Sequence, residues 1–137
     1  MSYKIRRVDY FYLTVKDQPG EAYQLLDQLA GQGINLLAFS AVPTGPLATQ
    51  LTIFPEDSHD LESLAKKTGL HLVGPYSAFI VNGSDELGAL SYIHKVLYMA
   101  NVNVYASTGV SDGKDNYGYI IYVRPTDYER AAAALEI

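Results

Sequence analysis

The stretch DQPGEAYQLLDQLAGQGIN, residues 17–35, places an aspartate and a Pro-Gly turn directly before an amphipathic segment. Its leucines recur at helical spacing, and glycines end the segment where a left-handed C-cap is preferred. A second stretch, DELGALSYIHKVLYMANVN, residues 85–103, repeats this plan at a constant offset of 68 residues. The equivalent positions include Asp17 and Asp85, Gly20 and Gly88, Leu29 and Leu97, and Asn35 and Asn103. The chain is therefore predicted to contain two copies of one structural unit.

The segments around the first stretch define the order of elements. Strands are predicted at residues 8–15, 34–42, 47–54 and 70–73, and helices follow the turns at residues 17–20 and 55–57. The order βαββαβ is typical of a ferredoxin-like sandwich, in which two helices cover one face of a four-stranded antiparallel sheet. The predicted fold class is α+β, with a first unit at residues 1–74 and a second unit at residues 75–137 in a tightly packed tandem repeat.

The second copy ends directly after its last helix and so lacks its fourth strand. Because an exposed strand edge is a liability, we expect another segment to pair with it. The segment Tyr3-Lys4-Ile5-Arg6 has no counterpart elsewhere in the repeat and is the first candidate. A truncated chain, or a partner subunit that supplies the strand, is the alternative. The strands are also apolar on both faces, which favours pairing between the copies or between chains.

Composition excludes several classes of function. A net charge of −5 lacks the basic footprint of a nucleic-acid-binding protein. The absence of cysteine and the scattered histidines argue against a metal site, and no cofactor motif is present. No run approaches the roughly 18 apolar residues that a membrane span requires. We therefore expect a cytoplasmic, non-enzymatic protein with no cofactor, nucleic-acid or membrane partner.

Residues 10–41, YFYLTVKDQPGEAYQLLDQLAGQGINLLAFSA, resemble the opening of an ACT domain, with its Asp-x-Pro-Gly loop and Gly-Ile-Asn start of the second strand. Residues 79–109 resemble it more loosely, since Leu87 replaces the proline and Asn101-Val102-Asn103 replaces Gly-Ile-Asn. The resemblance to a tandem ACT-domain protein implies a regulatory module that binds small effectors, commonly amino acids, between paired units. It also implies a homodimer and an enzyme or regulator partner.

The loops have a chemistry that suits such a ligand. A glycine before a helix lets a ligand approach free backbone N–H groups, which attract a carboxylate, while an aspartate attracts an ammonium group. Asn35 and Asn103 would add a donor and an acceptor from a neighbouring unit. The predicted ligand-binding residues are Asp17, Gln18, Pro19, Gly20, Glu21, Asn35, Leu36, Asp85, Glu86, Leu87, Gly88, Asn103 and Val104.

Simpler interpretations of the same residues stay open. The aspartates are of the type that caps helices, and the asparagines of the type that ends turns. The whole chain would also suit a ligand-free oligomerisation module, or a small enzyme on a ferredoxin-like scaffold with Asp17, Asp85 or His94 as general base.

Overall fold

The computed structural model describes residues 2–137. Its six strands are Tyr3–Lys16 (β1), Leu36–Pro43 (β2), Ala48–Pro55 (β3), Val73–Ser84 (β4), Ala106–Ser111 (β5) and Asn116–Tyr122 (β6). Its four helices are Glu21–Gly31 (α1), Ser58–Thr68 (α2), Ala89–Met99 (α3) and Tyr128–Ala134 (α4). The strands are hydrogen-bonded in the order β2-β3-β1-β4-β6-β5. The protein is an α+β protein, as predicted.

The chain divides into two compact units, and the division lies within β1 and β4. The first unit is Asp9–Tyr76 and has the strand order β2-β3-β1-β4. Its strand β1 pairs antiparallel with β3, with Phe11 opposite Ile53. Helices α1 and α2 bury leucines against the same face, and the resulting core contains Phe11, Leu13, Leu25, Leu29, Ile34, Leu51, Ile53, Leu61 and Leu64.

The second unit combines residues 2–8 with Ser77–Ile137 and has the strand order β1-β4-β6-β5. Strand β4 pairs antiparallel with β6, with Phe79 opposite Ile121. Helix α3 buries Ile93 and Leu97, and α4 buries Ala131 and Ala132. The core also contains Ile5, Val81, Val102, Tyr117, Tyr119 and Leu135.

The N-terminal segment fills the edge that the second copy leaves open, as predicted. The Ser84 amide donates to the Ser2 carbonyl at 3.0 Å, and Ile5 is 8% exposed within the core of the second unit. The Arg7 guanidinium donates to both carboxylate oxygens of Glu129, at 2.9 and 3.2 Å, and lies over the Tyr128 ring. These contacts attach β1 to β4 and α4 of the second unit.

Two predicted strand boundaries are wrong. Strand β1 begins at Tyr3, whereas the sequence pattern predicts its start at residue 8, because the segment that pairs with the second unit continues directly into the strand of the first unit. Strand β4 begins at Val73 and runs through residues 74 and 75 to Ser84. One continuous strand therefore takes the place of two predicted ones.

The face of the first unit opposite its helices is apolar, as predicted. Alternation along β1 directs Tyr10 and Tyr12 away from the core that contains Phe11. Tyr10, Tyr12, Phe54 and Tyr76 form a cluster of rings whose centroids lie 5.2 to 5.6 Å apart. Phe54 is completely buried.

Helix α2 has a side-chain N-cap, which gives a first testable prediction. The Asp57 carboxylate accepts hydrogen bonds from the amides of His59 and Asp60 at 2.9 and 3.3 Å. Replacing Asp57 by alanine is expected to lower the free energy of unfolding by about 1 kcal/mol, measured by urea unfolding. Asp60→Ala, in the same first turn but without a capping bond, is the control and should cost less; equal losses would contradict the capping role.

Candidate functional site

The loops that precede α1 and α3 share one backbone conformation. Gly20 and Gly88 are the N-cap residues, with φ of 88° and 83°. Glycine adopts this left-handed region without the steric cost that other residues incur. The Gln24 amide donates to the Gly20 carbonyl at 2.9 Å, and the Tyr92 amide donates to the Gly88 carbonyl at 3.0 Å. The predicted repeat therefore extends to the first hydrogen bonds of both helices.

The equivalence continues before each glycine. The Asp17 amide donates to the Leu47 carbonyl at 3.0 Å, and the Asp85 amide donates to the Asp115 carbonyl at 2.8 Å. Each aspartate is thereby held against the following hairpin through its backbone amide, and its carboxylate takes no part in this bond.

The interpretation of the two aspartates as helix caps is wrong. Neither α1 nor α3 has a side-chain capping bond, in contrast to α2 with Asp57. Within residues 2–137, the Asp17 and Asp85 carboxylates accept no hydrogen bond, and the second and third amides of each helix, those of Ala22 and Tyr23 and of Leu90 and Ser91, find no acceptor. Each loop thus presents free donors at a helix N-terminus together with a nearby free carboxylate.

In the second unit this loop forms one wall of a cavity of about 670 Å³. The predicted residues Asp85, Glu86, Leu87 and Gly88 line it together with the first turn of α3. The opposite wall consists of residues 109–111 of β5 and residues 117 and 118 of β6. The structure therefore brings the predicted loop of the second copy together with a hairpin that sequence analysis did not assign to the site.

The predicted residues at the other end of α3 lie apart from this cavity. Asn103 and Val104 line a second, smaller cavity with His94 and Tyr98. Because α3 has 11 residues, its ends are separated by roughly 16 Å. Asn103 and Val104 therefore do not join Asp85 within this unit.

The predicted residues of the first copy follow the same arrangement. Residues 17–20 form the loop, and Glu21 begins α1. The Asn35 side-chain amide donates to the Glu56 carboxylate at 2.7 Å, and the Asn35 backbone carbonyl accepts from the Glu56 backbone amide at 2.9 Å. These bonds favour the local, turn-ending interpretation of Asn35. Leu36 begins β2 and packs against the core of the first unit.

The hairpin walls differ between the two copies. In the second unit, Gly109 pairs with Tyr119, Val110 with Gly118, and Ser111 with Tyr117. The equivalent pairs of the first unit are Ala41 with Leu51, Val42 with Gln50, and Pro43 with Thr49. The hairpin of the second unit therefore carries two glycines and a large tyrosine where the first carries alanine, glutamine and threonine. Extending the offset of 68 residues to this hairpin aligns Tyr117 with Thr49, and this alignment is the sequence signal that would have drawn attention to Tyr117.

A partly buried hydrogen bond connects α3 to this hairpin. His94 Nε2 lies 2.6 Å from the Tyr119 hydroxyl. A Cβ atom at Gly109 would lie 2.9 Å from the Tyr119 ring, so the ring occupies the space that the glycine leaves. The cavity wall at residue 109 is consequently backbone.

No family model matches the sequence, and no curated protein matches it. The structure is similar to solved structures over nearly its whole length. Protein BT0572 from Bacteroides thetaiotaomicron superposes with a TM-score of 0.80 at 14% identity, covering 96% of this chain and 88% of that chain. The ligand-free regulatory subunit of aspartate kinase from Thermus thermophilus gives 0.65 at 16% identity, covering 99% and 95%. That from Thermus flavus gives 0.59 at 15% identity, with the same coverage.

Regulatory subunits of aspartate kinase are ACT-domain proteins. The chain therefore has an ACT-like α+β fold, in agreement with the resemblance of residues 10–41. Among residues 2–137, no helix combines the length and the apolar character that crossing a bilayer demands.

Proposed function

We propose that this chain is a regulatory module that binds a small-molecule effector, with an amino acid as its ligand. One observation carries the proposal: free amides of the first turn of α3 and the free Asp85 carboxylate line the same cavity. An α-amino acid has a carboxylate and an ammonium group on one carbon. Helix N-terminal amides attract the first group, and an aspartate attracts the second.

The structural neighbours support regulation over catalysis. The chain covers nearly all of two regulatory subunits whose names assign them to aspartate kinase. Within residues 2–137, no group of three or more residues that bind metals lies together. The titratable groups at the cavity are Asp85, Glu86 and Tyr117, without a paired base or nucleophile. We therefore propose a binding role for these residues.

The effect of the ligand would be a population shift. Leu87 is fully exposed and Val110 is 71% exposed at the rim of the cavity. A unit of a second copy that covers this rim would close the cavity over the ligand. The ligand would then stabilise the paired arrangement, and a partner enzyme or regulator would respond to it. In this scheme the protein is a homodimer, and Asn103 and Val104 of a neighbouring unit contribute to the ligand site.

A thermal-shift screen against the twenty amino acids tests the proposal. A ligand at about a hundred times its dissociation constant stabilises a protein by roughly 2.7 kcal/mol, which moves the melting temperature by several degrees. We expect such a shift with at least one amino acid. Asp85→Asn should weaken the response by about tenfold in ligand concentration, since it removes the charge that pairs with the ammonium group.

Asp17→Asn is the matched control, because it makes the same change in the equivalent loop of the first unit. A response that Asp17→Asn abolishes and Asp85→Asn leaves intact would move the site to the first unit. A screen without any shift would contradict amino-acid binding and favour the ligand-free oligomerisation module.

A further inference from the structure

Tyr117 is a buried polar side chain at the cavity whose hydroxyl group has no partner. The residue is 8% exposed and belongs to the core of the second unit, yet it lines the cavity beside Asp85 and Glu86. Among residues 2–137, no group makes a hydrogen bond with its hydroxyl, and that oxygen is not sealed in the core. Because this oxygen reaches solvent, the hydroxyl group is free to donate to a bound molecule. The structure thus offers a donor to whatever occupies the cavity.

The Tyr117 hydroxyl remains protonated at neutral pH. Burial raises the pKa of Tyr117, and Tyr3, Asp85 and Glu86 raise it further. A protonated phenol donates a hydrogen bond well to a carboxylate. Tyr117 therefore complements the amides of Leu90 and Ser91 as a donor to an anionic ligand group.

The charges of the lining restrict the rest of the ligand. Asp85 and Glu86 are the charged residues along the cavity, and no lysine, arginine or histidine of the described chain lines it. A second anionic group on the ligand would find no counter-charge there and would be repelled by both carboxylates. Dicarboxylates, phosphates and acidic amino acids are disfavoured, and a ligand without an ammonium group would leave Asp85 unpaired.

Three large apolar side chains of the cavity lining are exposed. Leu87, Leu90 and Val110 are 102%, 39% and 71% exposed, although they surround one cavity. Isolated exposed leucines are common, but three large apolar side chains around one cavity form a surface that a ligand side chain can cover. The equivalent positions in the first unit hold Pro19, Ala22 and Val42, so the two leucines make the apolar wall larger in the second unit.

We propose that this cavity selects an α-amino acid with an uncharged apolar side chain, and that the Tyr117 hydroxyl donates a hydrogen bond to its carboxylate. The inference rests on the proposed function and specifies its ligand class. Asp85 pairs with the ammonium group, and Leu87, Leu90 and Val110 contact the side chain. Thr49, at the register position of Tyr117 in the first unit, is too short for the same contact, so the two loops differ in selectivity.

Calorimetric titration of the full chain tests the ligand class. The probes are L-leucine, L-valine, L-methionine and L-phenylalanine, compared with L-lysine, L-glutamate, 4-methyl-2-oxopentanoate and 3-methylbutylamine. We expect the apolar amino acids to bind at least tenfold more tightly than the other four, because only they satisfy the donors, the acid and the apolar wall together. Preferential binding of L-lysine or L-glutamate would overturn the inference and leave the proposed function standing. No binding of any amino acid would overturn both.

Tyr117→Phe tests the role of the hydroxyl. The ring stays in the core, so the fold is retained, and the affinity for the apolar amino acid is expected to fall on the order of tenfold. Tyr76→Phe is the matched control, since Tyr76 is 40% exposed within the ring cluster of the first unit and should leave the affinity unchanged. Equal affinities of Tyr117→Phe and the unmodified chain would exclude the hydroxyl contact.

Val110→Asp should remove binding of the apolar amino acids selectively; retained binding would contradict their contact with this wall.

Discussion

Replacing Ile5 by alanine is expected to lower the free energy of unfolding by about 2–4 kcal/mol. The reason is that Ile5 is the core residue of the N-terminal strand segment: it is 8% exposed and packs within the apolar core of the second unit. Removing three methyl or methylene groups from such a site loses transfer free energy and leaves a cavity. Urea unfolding, monitored by circular dichroism, measures the loss.

Lys4→Ala is the control for this substitution. Lys4 is the neighbouring residue of the same strand and is exposed, so its loss should change stability by less than about 0.5 kcal/mol. Hydrogen exchange adds a local measurement, since the Ile5→Ala variant should lose protection first at the β4 amides that pair with β1. Similar stabilities of the two variants would show that the N-terminal segment does not belong to the cooperative core.

The second large effect is expected at Gly83, where β4 meets the N-terminal segment. A Cβ atom at this position would lie 2.9 Å from the Ser2 carbonyl oxygen, 2.9 Å from the Tyr3 Cβ and 3.0 Å from the Tyr117 ring. Backbone and Cβ atoms cannot rotate away, so the strand itself has to move. Gly83→Ala should therefore cost about 1–3 kcal/mol of stability, measured by urea unfolding.

Gly118→Ala is the matched substitution in the neighbouring strand β6. Its Cβ would make one ordinary contact, 3.8 Å from the Asn82 side-chain amide. Alanine in a strand interior is intrinsically favoured over glycine, so this variant should be neutral or slightly more stable. A Gly83→Ala variant as stable as Gly118→Ala would show that β1 does not approach β4 so closely.

The Gly83 substitution also has an expected effect on the proposed site. The Tyr117 ring touches the position of the added atom, and Tyr117 is one of the residues that line the cavity. A shift of the ring would misplace its hydroxyl donor. In Gly83→Ala, ligand affinity should fall together with stability, whereas Gly31→Ala, on an open face of α1, should leave both unchanged or slightly raise stability.

Sequence patterns predicted most of the fold because the repeat is recorded in residues with strict backbone requirements. Gly20 and Gly88 take a positive φ that other residues rarely adopt, so their shared offset marks equivalent turns. Gly33 has φ of 70°, and Asn101, its counterpart, has φ of 59°, since asparagine tolerates this region best after glycine. Local geometry of this kind is encoded in a few adjacent residues.

The site was predicted only in part because its second wall is distant in sequence. Asp85 and Gly88 lie on the predicted loop, but Val110 and Tyr117 reach the cavity only through the pairing of β4, β5 and β6. A tyrosine in an alternating strand is usually a sheet-surface residue, and nothing adjacent to Tyr117 marks it as different. The paired register of β5 and β6 shows which face it occupies.

The pairing of residues 3–8 with β4 has a consequence for biosynthesis. This segment leaves the ribosome before its partner strand, which ends at Ser84, has been made. At about 5–20 residues per second, roughly 4–15 seconds separate the synthesis of the two. Ile5 and Val8, which are buried in the folded protein, lack their β4 partner during that interval, and contacts of such long sequence separation form slowly. Strand β1 is translated before β4, so the second unit can complete this edge only after Ser84 has been made.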